Sequence, residues 1–206
     1  MTGPDDTLAA AQHRHWQHTY RDHPGRYGTA PSSANATTVL ELGAGHGRDA
    51  LLFARRGFTV HALDFSAAVL TQLRAAAAGL AVHTIEHDVR DPLPLPDADV
   101  DAVFAHTLLC LALSTAEISA LTGEVRRVLR PGGIFVHTVR HTGDPHYGTG
   151  LAHGDDIYEN GGFAVHFFSR ELVDALAEGW RLVEVREFTE GDLPRRLWRI
   201  TQTVPR

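Results

Sequence analysis

The feature that most constrains the fold of this chain is the stretch VLELGAGHGRDALLFARRGFTVHALDFS, which occupies residues 39–66. Its apolar run Val39–Leu42 predicts a buried strand, and the following Arg48–Arg56 predicts a helix that stops at Gly57. Thr59–Leu63 then predicts a second strand. A strand, a glycine turn, a helix and a second strand in this order are typical of a parallel sheet with helices packed on it.

The rest of the chain continues this alternation of strands and helices. Further strands are predicted at three apolar runs, which are Ala81–Ile85, Val100–Ala105 and Ile134–Val139. Helices are predicted after three serines that can act as N-caps, which are Ser66, Ser114 (in a capping box with Glu117) and Ser169. The last two predicted strands alternate in polarity like antiparallel strands, and they are Arg181–Phe188 and Leu197–Val204. The sequence therefore predicts an α/β fold with a largely parallel sheet covered on both faces.

The length of the chain, 206 residues, is typical of one domain, so a single domain is predicted over residues 1–206. Residues 1–35 are polar and broken by prolines, and they predict an N-terminal cap segment with a short helix from about Leu8 to Tyr20. The segment contains three large aromatic residues, which are Trp16, Tyr20 and Tyr27.

Residues 140–166 are rich in glycine and histidine and have no clear periodicity. A segment of this length without regular structure is unusual inside a compact domain and is often functional. We predict that it is a loop that serves as a substrate lid.

Composition excludes several classes of protein. The net charge of −6 argues against a general binder of nucleic acids or anionic membranes, because both need a basic face. No apolar run is long enough to span a membrane, and the single cysteine suits a reducing cytosol, so a cytoplasmic location is predicted. The 14 histidines do not have metal-site spacing, so no metal is predicted. All 19 basic residues are arginines, which removes lysine as a catalytic base.

The glycine turn after the first strand predicts a site for an adenosine-containing cofactor, because such turns let the backbone approach a ligand. Gly43, Ala44, Gly45 and Gly47 form this turn. Arg48 stands where the dinucleotide fingerprint has its third glycine, and so large a side chain fits that position poorly. Two cofactors remain open at this point, a hydride-carrying nicotinamide dinucleotide and a methyl-bearing sulfonium.

Three acidic residues follow or end the predicted strands. Glu41 lies at the end of the first strand, and Asp64, followed by Phe65, ends the second. A carboxylate at the position of Asp64 can accept hydrogen bonds from both hydroxyls of a ribose. After the third strand, Asp88 and the backbone amide of Val89 can bind an adenine edge.

These residues, in this order, resemble the class I S-adenosylmethionine-dependent methyltransferases. The resemblance covers residues 38–140 and includes Glu41–Gly47, Asp64, Asp88, Asp101–Ala105 and Arg130–Gly133. It implies a Rossmann-like, seven-stranded, mostly parallel sheet with helices on both faces and an antiparallel C-terminal strand.

The resemblance also implies roles for individual residues. The turn Gly43–Gly47 would pass the methionine part of S-adenosylmethionine, and Asp64 would hold its ribose. Asp88 and Val89 would hold the adenine. His106 and Thr107, directly after the fourth strand, would line the floor near the reactive methyl group. In such relatives the N-terminal segment often closes over the cofactor, so at least one of the rings of Trp16, Tyr20 and Tyr27 is expected to cover the site.

The C-terminal part is similar to the tellurite-resistance-type methyltransferases through His166–Ser169, Glu178–Trp180 and Glu190–Arg195. The related thiopurine methyltransferase-like group is similar through Gly47–Asp49 and the second strand. In the tellurite-type enzymes a His-Arg pair in the last segment is implicated in the substrate pocket. Arg195 matches the arginine, whereas Pro194 stands in place of the histidine.

The catalytic candidates are His106, His141 and Arg195. A histidine near its unperturbed pKa can remove a proton from an acceptor, and His106 has the best position for this, since it follows the fourth strand. His141 follows the fifth strand, and the other histidines considered as bases are His137 and His166. Arg195, together with Arg140 and Arg196, could bind an anionic acceptor.

The predicted function is methyl transfer from S-adenosylmethionine to a small-molecule acceptor, which could be an oxygen, nitrogen or sulfur atom or a chalcogen oxyanion. The expected partner is this small molecule, with no nucleic acid and no membrane, and the oligomeric state is not predicted. Two alternatives stay open, a nicotinamide-dependent oxidoreductase and a protein that binds S-adenosylmethionine without catalysis.

Overall fold

A computed structural model describes residues 37–111, 113–191 and 195–206. The first part of the described chain contains β1 (Thr38–Leu42), α1 (Arg48–Arg55), β2 (Thr59–Asp64), α2 (Ala67–Ala76), β3 (Val82–Glu86), β4 (Val100–His106), α3 (Thr115–Val128) and β5 (Leu129–Arg140). The second part contains β6 (Leu151–Gly154), β7 (Ile157–Asn160), β8 (Phe163–His166), α4 (Arg170–Leu176), β9 (Arg181–Glu190) and β10 (Arg195–Thr203).

Seven strands form one sheet in the order β3–β2–β1–β4–β5–β10–β9. The pairs among β1 to β5 are parallel, and β10 runs antiparallel to both of its neighbours. This confirms the predicted Rossmann-like sheet with an antiparallel C-terminal strand. After β1, the chain adds β2 and β3 on one side of β1, and it then crosses to the other side, where it adds β4 and β5. The strand order therefore reverses between β1 and β4. Ligands of such sheets bind beyond the carboxyl ends of the strands at this point.

The two faces of the sheet bury separate apolar clusters, because side chains alternate along each strand. Leu40 and Leu42 of β1 pack with residues of α3 and α4 on one face. The side chain of Val39 points to the opposite face and packs with residues of α1 and α2. Each fully buried leucine stabilises the fold by about 1.5–3 kcal/mol. The helices packed on the two faces therefore keep β1 in place.

Two of the three predicted N-caps are confirmed. Ser114 and Glu117 form the reciprocal capping box at the start of α3. The Ser169 side chain accepts a hydrogen bond from the Leu172 backbone N–H. The prediction that Ser66 caps α2 is wrong, because the Ser66 side chain makes no capping hydrogen bond. Its backbone N–H instead donates to Asp64 Oδ1, at 2.9 Å.

The prediction that residues 140–166 form an irregular loop is wrong. Strands β6, β7 and β8 form a three-stranded antiparallel sheet within this segment. Its first hairpin turns at Asp155 and Asp156, both with positive φ, of 53° and 55°. Each strand has only four residues, and β6 is exposed throughout, so no alternating apolar pattern marks these strands in the sequence.

This small sheet is tied to the loop between β4 and α3. Asp155 accepts hydrogen bonds from the backbone N–H and the hydroxyl of Thr115, at the start of α3. The His166 N–H donates to the Cys110 carbonyl, and His166 Nδ1 lies 2.7 Å from the Leu113 carbonyl oxygen. The segment therefore forms a supported platform beside the carboxyl end of β4.

Several predictions concern residues outside those that the structure describes. They are the N-terminal helix, the covering rings of Trp16, Tyr20 and Tyr27, and the position of Pro194.

Candidate active site

A cavity of about 390 Å³ opens at the carboxyl ends of the central strands. Its lining includes six residues that the sequence predicted for the cofactor or for catalysis, which are Gly43, Asp64, Phe65, Asp88, Val89 and His106. Three leucines from the loop after β4 supply an apolar wall, and they are Leu108, Leu111 and Leu113. The sheet thus gathers at one edge side chains that follow three different strands.

Asp64 ends β2 and is 9% exposed. Its Oδ2 accepts a hydrogen bond from the Gly45 backbone N–H, and its Oδ1 accepts one from Ser66, both at 2.9 Å. These bonds fix the carboxylate against the glycine turn. Each carboxylate oxygen has further acceptor capacity, so Asp64 can still bind a pair of hydroxyl groups from the cavity side.

Two glycines of the turn, Gly45 and Gly47, serve different purposes. Gly45 has φ +53°, and no heavy atom lies within 4 Å of the place where a Cβ would be. Gly47 has φ +81°, and a Cβ there would overlap the Leu73 side chain of α2. Gly45 therefore leaves open space beside Asp64, whereas Gly47 permits close packing of the turn on α2. Of the predicted cofactor residues, Glu41, Ala44, Gly45 and Gly47 are not among the cavity-lining residues.

Glu41 is a buried acid beneath the turn, and only 3% of it is exposed. Burial, and then the negative charge of Asp49, raise the pKa of Glu41 well above its usual value. Its Oε2 has no hydrogen-bond partner among the residues that the structure describes. A buried acceptor without a partner is costly, and a cationic ligand group would satisfy it.

Asp88 follows β3 and points at the cavity from the solvent side. Both of its carboxylate oxygens lie within hydrogen-bonding distance of Arg90 Nη1, at 3.4 and 3.2 Å. The hydrogen bond from the Arg90 backbone N–H, and then its charge, lower the pKa of Asp88, although slight burial opposes this. The carboxylate is therefore ionised and available as an acceptor at the rim.

His106 ends β4, and its ring lies between two polar side chains. Thr138 Oγ1 on β5 is 2.9 Å from His106 Nδ1. Glu190 Oε2, at the end of β9, is 3.3 Å from His106 Nε2. The hydrogen bond of the ring is the one to Thr138, and the contact with Glu190 is an ion-pair contact. Thr107, the next residue, has the strained φ of 54°, which turns the chain away directly after this ring.

Glu190 was not predicted as a site residue, and it is 5% exposed. Burial alone would raise the pKa of Glu190, but its contact with the His106 ring and the positive charges of Arg48 and Arg195 outweigh burial and lower the pKa. The ionised carboxylate thus lies near a histidine ring and two arginines, which come from three different elements. Glu190 begins the C-terminal segment that resembles the tellurite-type enzymes, but nothing in that segment indicates the contact with His106, which depends on the pairing of distant strands.

The other catalytic candidates lie in different places. Arg195 is exposed and is the β10 partner of Glu190, so it lies at the same end of the sheet as His106. His141 is 5% exposed and stacks on Trp198, with ring centroids 4.5 Å apart. Its Nδ1 accepts a hydrogen bond from the Gly143 N–H, and it is not among the cavity-lining residues.

Three further residues considered in the sequence are buried away from the cavity lining. Burial lowers the pKa of His137 to about 3, so this ring is neutral, and it stacks on Phe135. His166 is 1% exposed and binds the loop before α3. Burial raises the pKa of the Cys110 thiol to about 11, which makes it unreactive.

Comparisons with known proteins agree with this geometry. Residues 39–133 match a family model described as a methyltransferase domain. A protein of Mycolicibacterium smegmatis named "Probable S-adenosylmethionine-dependent methyltransferase" is 32% identical over 136 residues, which are 66% of this chain and 49% of that protein. Residues 39–133 form a class I S-adenosylmethionine-dependent methyltransferase domain. The cofactor question left open by the glycine turn is thereby decided, and the cofactor is S-adenosylmethionine.

Two other methyltransferases illustrate the range of similarity. The dimethylglycine N-methyltransferase of Parasynechococcus marenigrum is 32% identical over 139 residues, which are 66% of this chain and 46% of that protein. The chain thus spans about half the length of both of these relatives. A Burkholderia thailandensis 1,6-didemethyltoxoflavin-N1-methyltransferase, solved with S-adenosylhomocysteine, has a TM-score of 0.68 and 18% identity, and the match covers 100% of this chain and 92% of that one.

The methyltransferase cavity is chemically compatible with S-adenosylmethionine. The buried Glu41 Oε2 could accept from the ammonium of the methionine part, and Asp64 could accept from the ribose hydroxyls. The open space at Gly45 leaves room for the backbone of the ligand to pass between them.

Within the described residues, no helix has the length and apolar character to cross a bilayer.

Proposed function

We propose that this chain transfers the methyl group of S-adenosylmethionine to a small-molecule acceptor. One observation carries the proposal, namely that the cavity at the strand-order reversal places Asp64 beside the glycine turn of a methyltransferase domain. In this proposal residues 1–206 act as one domain, and the platform within residues 140–166 covers the acceptor side of the cavity.

Each part of the cofactor has a candidate binding group. Asp64, fixed by the Gly45 and Ser66 backbone N–H groups, accepts from the ribose hydroxyls. The exposed ring of Phe65 packs on one face of the adenine, and Asp88 accepts from its amino group. Bound in this way, S-adenosylmethionine supplies an electrophilic methyl group on a sulfonium. The leucine wall keeps water away from that end of the cavity.

The acceptor is proposed to be small and to carry a negative charge. Arg48 and Arg195 lie close enough to Glu190 for their charges to lower its pKa, so both arginines stand near His106. Two guanidinium groups near a histidine that lines the cavity favour carboxylates or similar oxyanions. The dimethylglycine N-methyltransferase among the relatives acts on a carboxylate-bearing molecule. The acceptor can be an oxygen, nitrogen or sulfur atom or a chalcogen oxyanion.

The cofactor part is tested by calorimetric titration with S-adenosylhomocysteine. Asp64→Asn should weaken binding by about tenfold to a hundredfold, because one charge-assisted hydrogen bond is worth roughly 1.5–3 kcal/mol. The matched control is Asp101→Asn. Asp101 also accepts from a backbone N–H, that of Thr38, but it lies at the opposite, amino end of the sheet. Equal affinities for Asp64→Asn and Asp101→Asn would contradict the assignment.

The acceptor part is tested by mass spectrometry of products made with methyl-labelled S-adenosylmethionine. Small organic acids are compared with their neutral amides, and cell extract serves as an unbiased source of acceptors. The proposal is supported if the wild-type protein labels the acids and Arg195→Gln does not. Label only in neutral molecules would overturn the anionic acceptor, and binding without any labelled product would favour a protein that binds the cofactor without catalysis.

A further inference from the structure

Thr138 lies against one ring nitrogen of His106. Thr138 Oγ1 accepts a hydrogen bond from the Thr107 backbone N–H, at 3.0 Å. A hydroxyl has a single proton to donate, and the nearest ring acceptor is His106 Nδ1, at 2.9 Å. When the hydroxyl donates to Nδ1, the ring carries its proton on Nε2.

Glu190 lies on the side where that proton points. Its Oε2 is 3.3 Å from His106 Nε2, and its side chain is 4% exposed. A buried, ionised carboxylate attracts the N–H end of the ring and repels a bare nitrogen lone pair. Both neighbours therefore select the same tautomer of His106, although they come from β5 and β9, on either side of β10 in the sheet.

We infer that Glu190 is a positioning residue that, with Thr138, holds His106 with its proton on Nε2, so that this ring does not take a proton from the acceptor. The inference rests on the proposed function. It replaces the prediction that His106 is a free general base, because both ring nitrogens face protein groups. The acceptor class that follows is one whose nucleophilic atom already has a free electron pair at working pH, such as a carboxylate, a thiolate or a tertiary amine.

In such a reaction the atoms and electrons balance without a base. The acceptor atom forms the new bond to the methyl carbon with its own electron pair. The sulfur–carbon bond breaks, and its pair returns to sulfur, which loses its positive charge. No proton leaves the acceptor, so Glu190 and His106 keep their protonation states throughout.

The first test is ¹⁵N NMR of the full chain labelled at histidine, with and without S-adenosylhomocysteine. Wild type should show His106 protonated at Nε2 and unprotonated at Nδ1. Glu190→Gln should mix the tautomers, because a glutamine amide can either donate or accept. The matched control is Glu187→Gln, which removes another β9 carboxylate that lies 3.6 Å from a histidine, His141. It should shift only His141.

Thr138→Val keeps the shape of the side chain and removes the hydroxyl, and it too should mix the His106 tautomers. This variant serves the test if Glu190→Gln fails to fold. His106 signals that stay as in wild type in a folded Glu190→Gln or Thr138→Val protein would overturn the inference, and so would Nδ1 protonation in wild type.

The second test measures methyl transfer to acids of graded acidity from the product panel. The rate should follow ionisation of each acid, and Glu190→Gln should lower kcat by up to about 100-fold, as expected for a misplaced ring, with little change in affinity for S-adenosylhomocysteine. A rate that is independent of acceptor ionisation would overturn the inference while leaving methyl transfer intact. Loss of cofactor binding by wild type would instead contradict the proposed function alone, since the tautomer measurement does not need it.

Discussion

Replacement of Gly47 by alanine should destabilise the protein in two separable ways. The φ of +81° at Gly47 costs a residue with a Cβ about 1–2 kcal/mol. The new Cβ would also overlap Leu73 Cδ1, and Leu73 is fully buried in the cluster between α1 and α2. Overpacking of this kind costs about 1–3 kcal/mol, so the sum is about 2–5 kcal/mol. For a chain of this length, Tm should fall by roughly 4–20 °C.

The chain offers a matched control in Gly79. It has the same φ of +81°, but no heavy atom lies within 4 Å of its hypothetical Cβ. Gly79→Ala should therefore cost only the backbone part, about 1–2 kcal/mol. Leu73→Ala, combined with Gly47→Ala, should remove the overlap, so the two effects should couple by about 1–3 kcal/mol.

The assay is urea denaturation followed by circular dichroism, which gives the free energy of unfolding of each variant. Equal losses in Gly47→Ala and Gly79→Ala would refute the packing argument. Strict additivity of Gly47→Ala and Leu73→Ala would refute it as well.

Three more predictions test the turn, the buried acid and the helix caps. Gly45→Ala should weaken S-adenosylhomocysteine binding at least tenfold in calorimetry, because its Cβ enters the open space beside Asp64; unchanged affinity would contradict this. The raised pKa of Glu41 means that its stability contribution is full below about pH 4.5 and is lost as pH rises toward the folded pKa, by up to about 1.4 kcal/mol per pH unit. Thermal melts of Glu41→Gln should thus match wild type at pH 4 and exceed it at pH 8, whereas a constant difference would rule the assignment out. Ser114→Ala should cost about 1 kcal/mol in chemical denaturation and Ser66→Ala much less, since only Ser114 makes a capping bond; equal costs would count against the cap assignment.

The sheet was predictable from the sequence because its signals are local. The run Val39–Leu42, the glycine turn and Asp64 all lie within residues 39–64. The apolar run indicates a strand and the glycines indicate a turn without reference to distant parts of the chain. The resemblance then supplied the number of strands and the antiparallel C-terminal strand, whereas the strand order came from the structure. Asp64, Asp88 and His106 were found because each directly follows a strand, and the carboxyl ends of parallel strands share one edge.

The features that were missed depend on contacts between distant segments. Glu190 meets His106 only because β10 lies between β5 and β9 in the sheet. The strands within residues 140–166 are stabilised by Asp155 on α3 and by backbone bonds to the loop after β4, and not by an apolar pattern of their own. Ser66 has the sequence of a cap, but its backbone N–H is used to hold Asp64.

The proposed function depends on how the nucleoside lies against Asp64, which a crystal structure of the protein with S-adenosylhomocysteine would show. Both ribose hydroxyls should lie within about 3.2 Å of the Asp64 carboxylate, and the adenine should lie between Phe65 and Val89. A nucleoside bound outside this cavity, or a ribose held by other side chains, would contradict it.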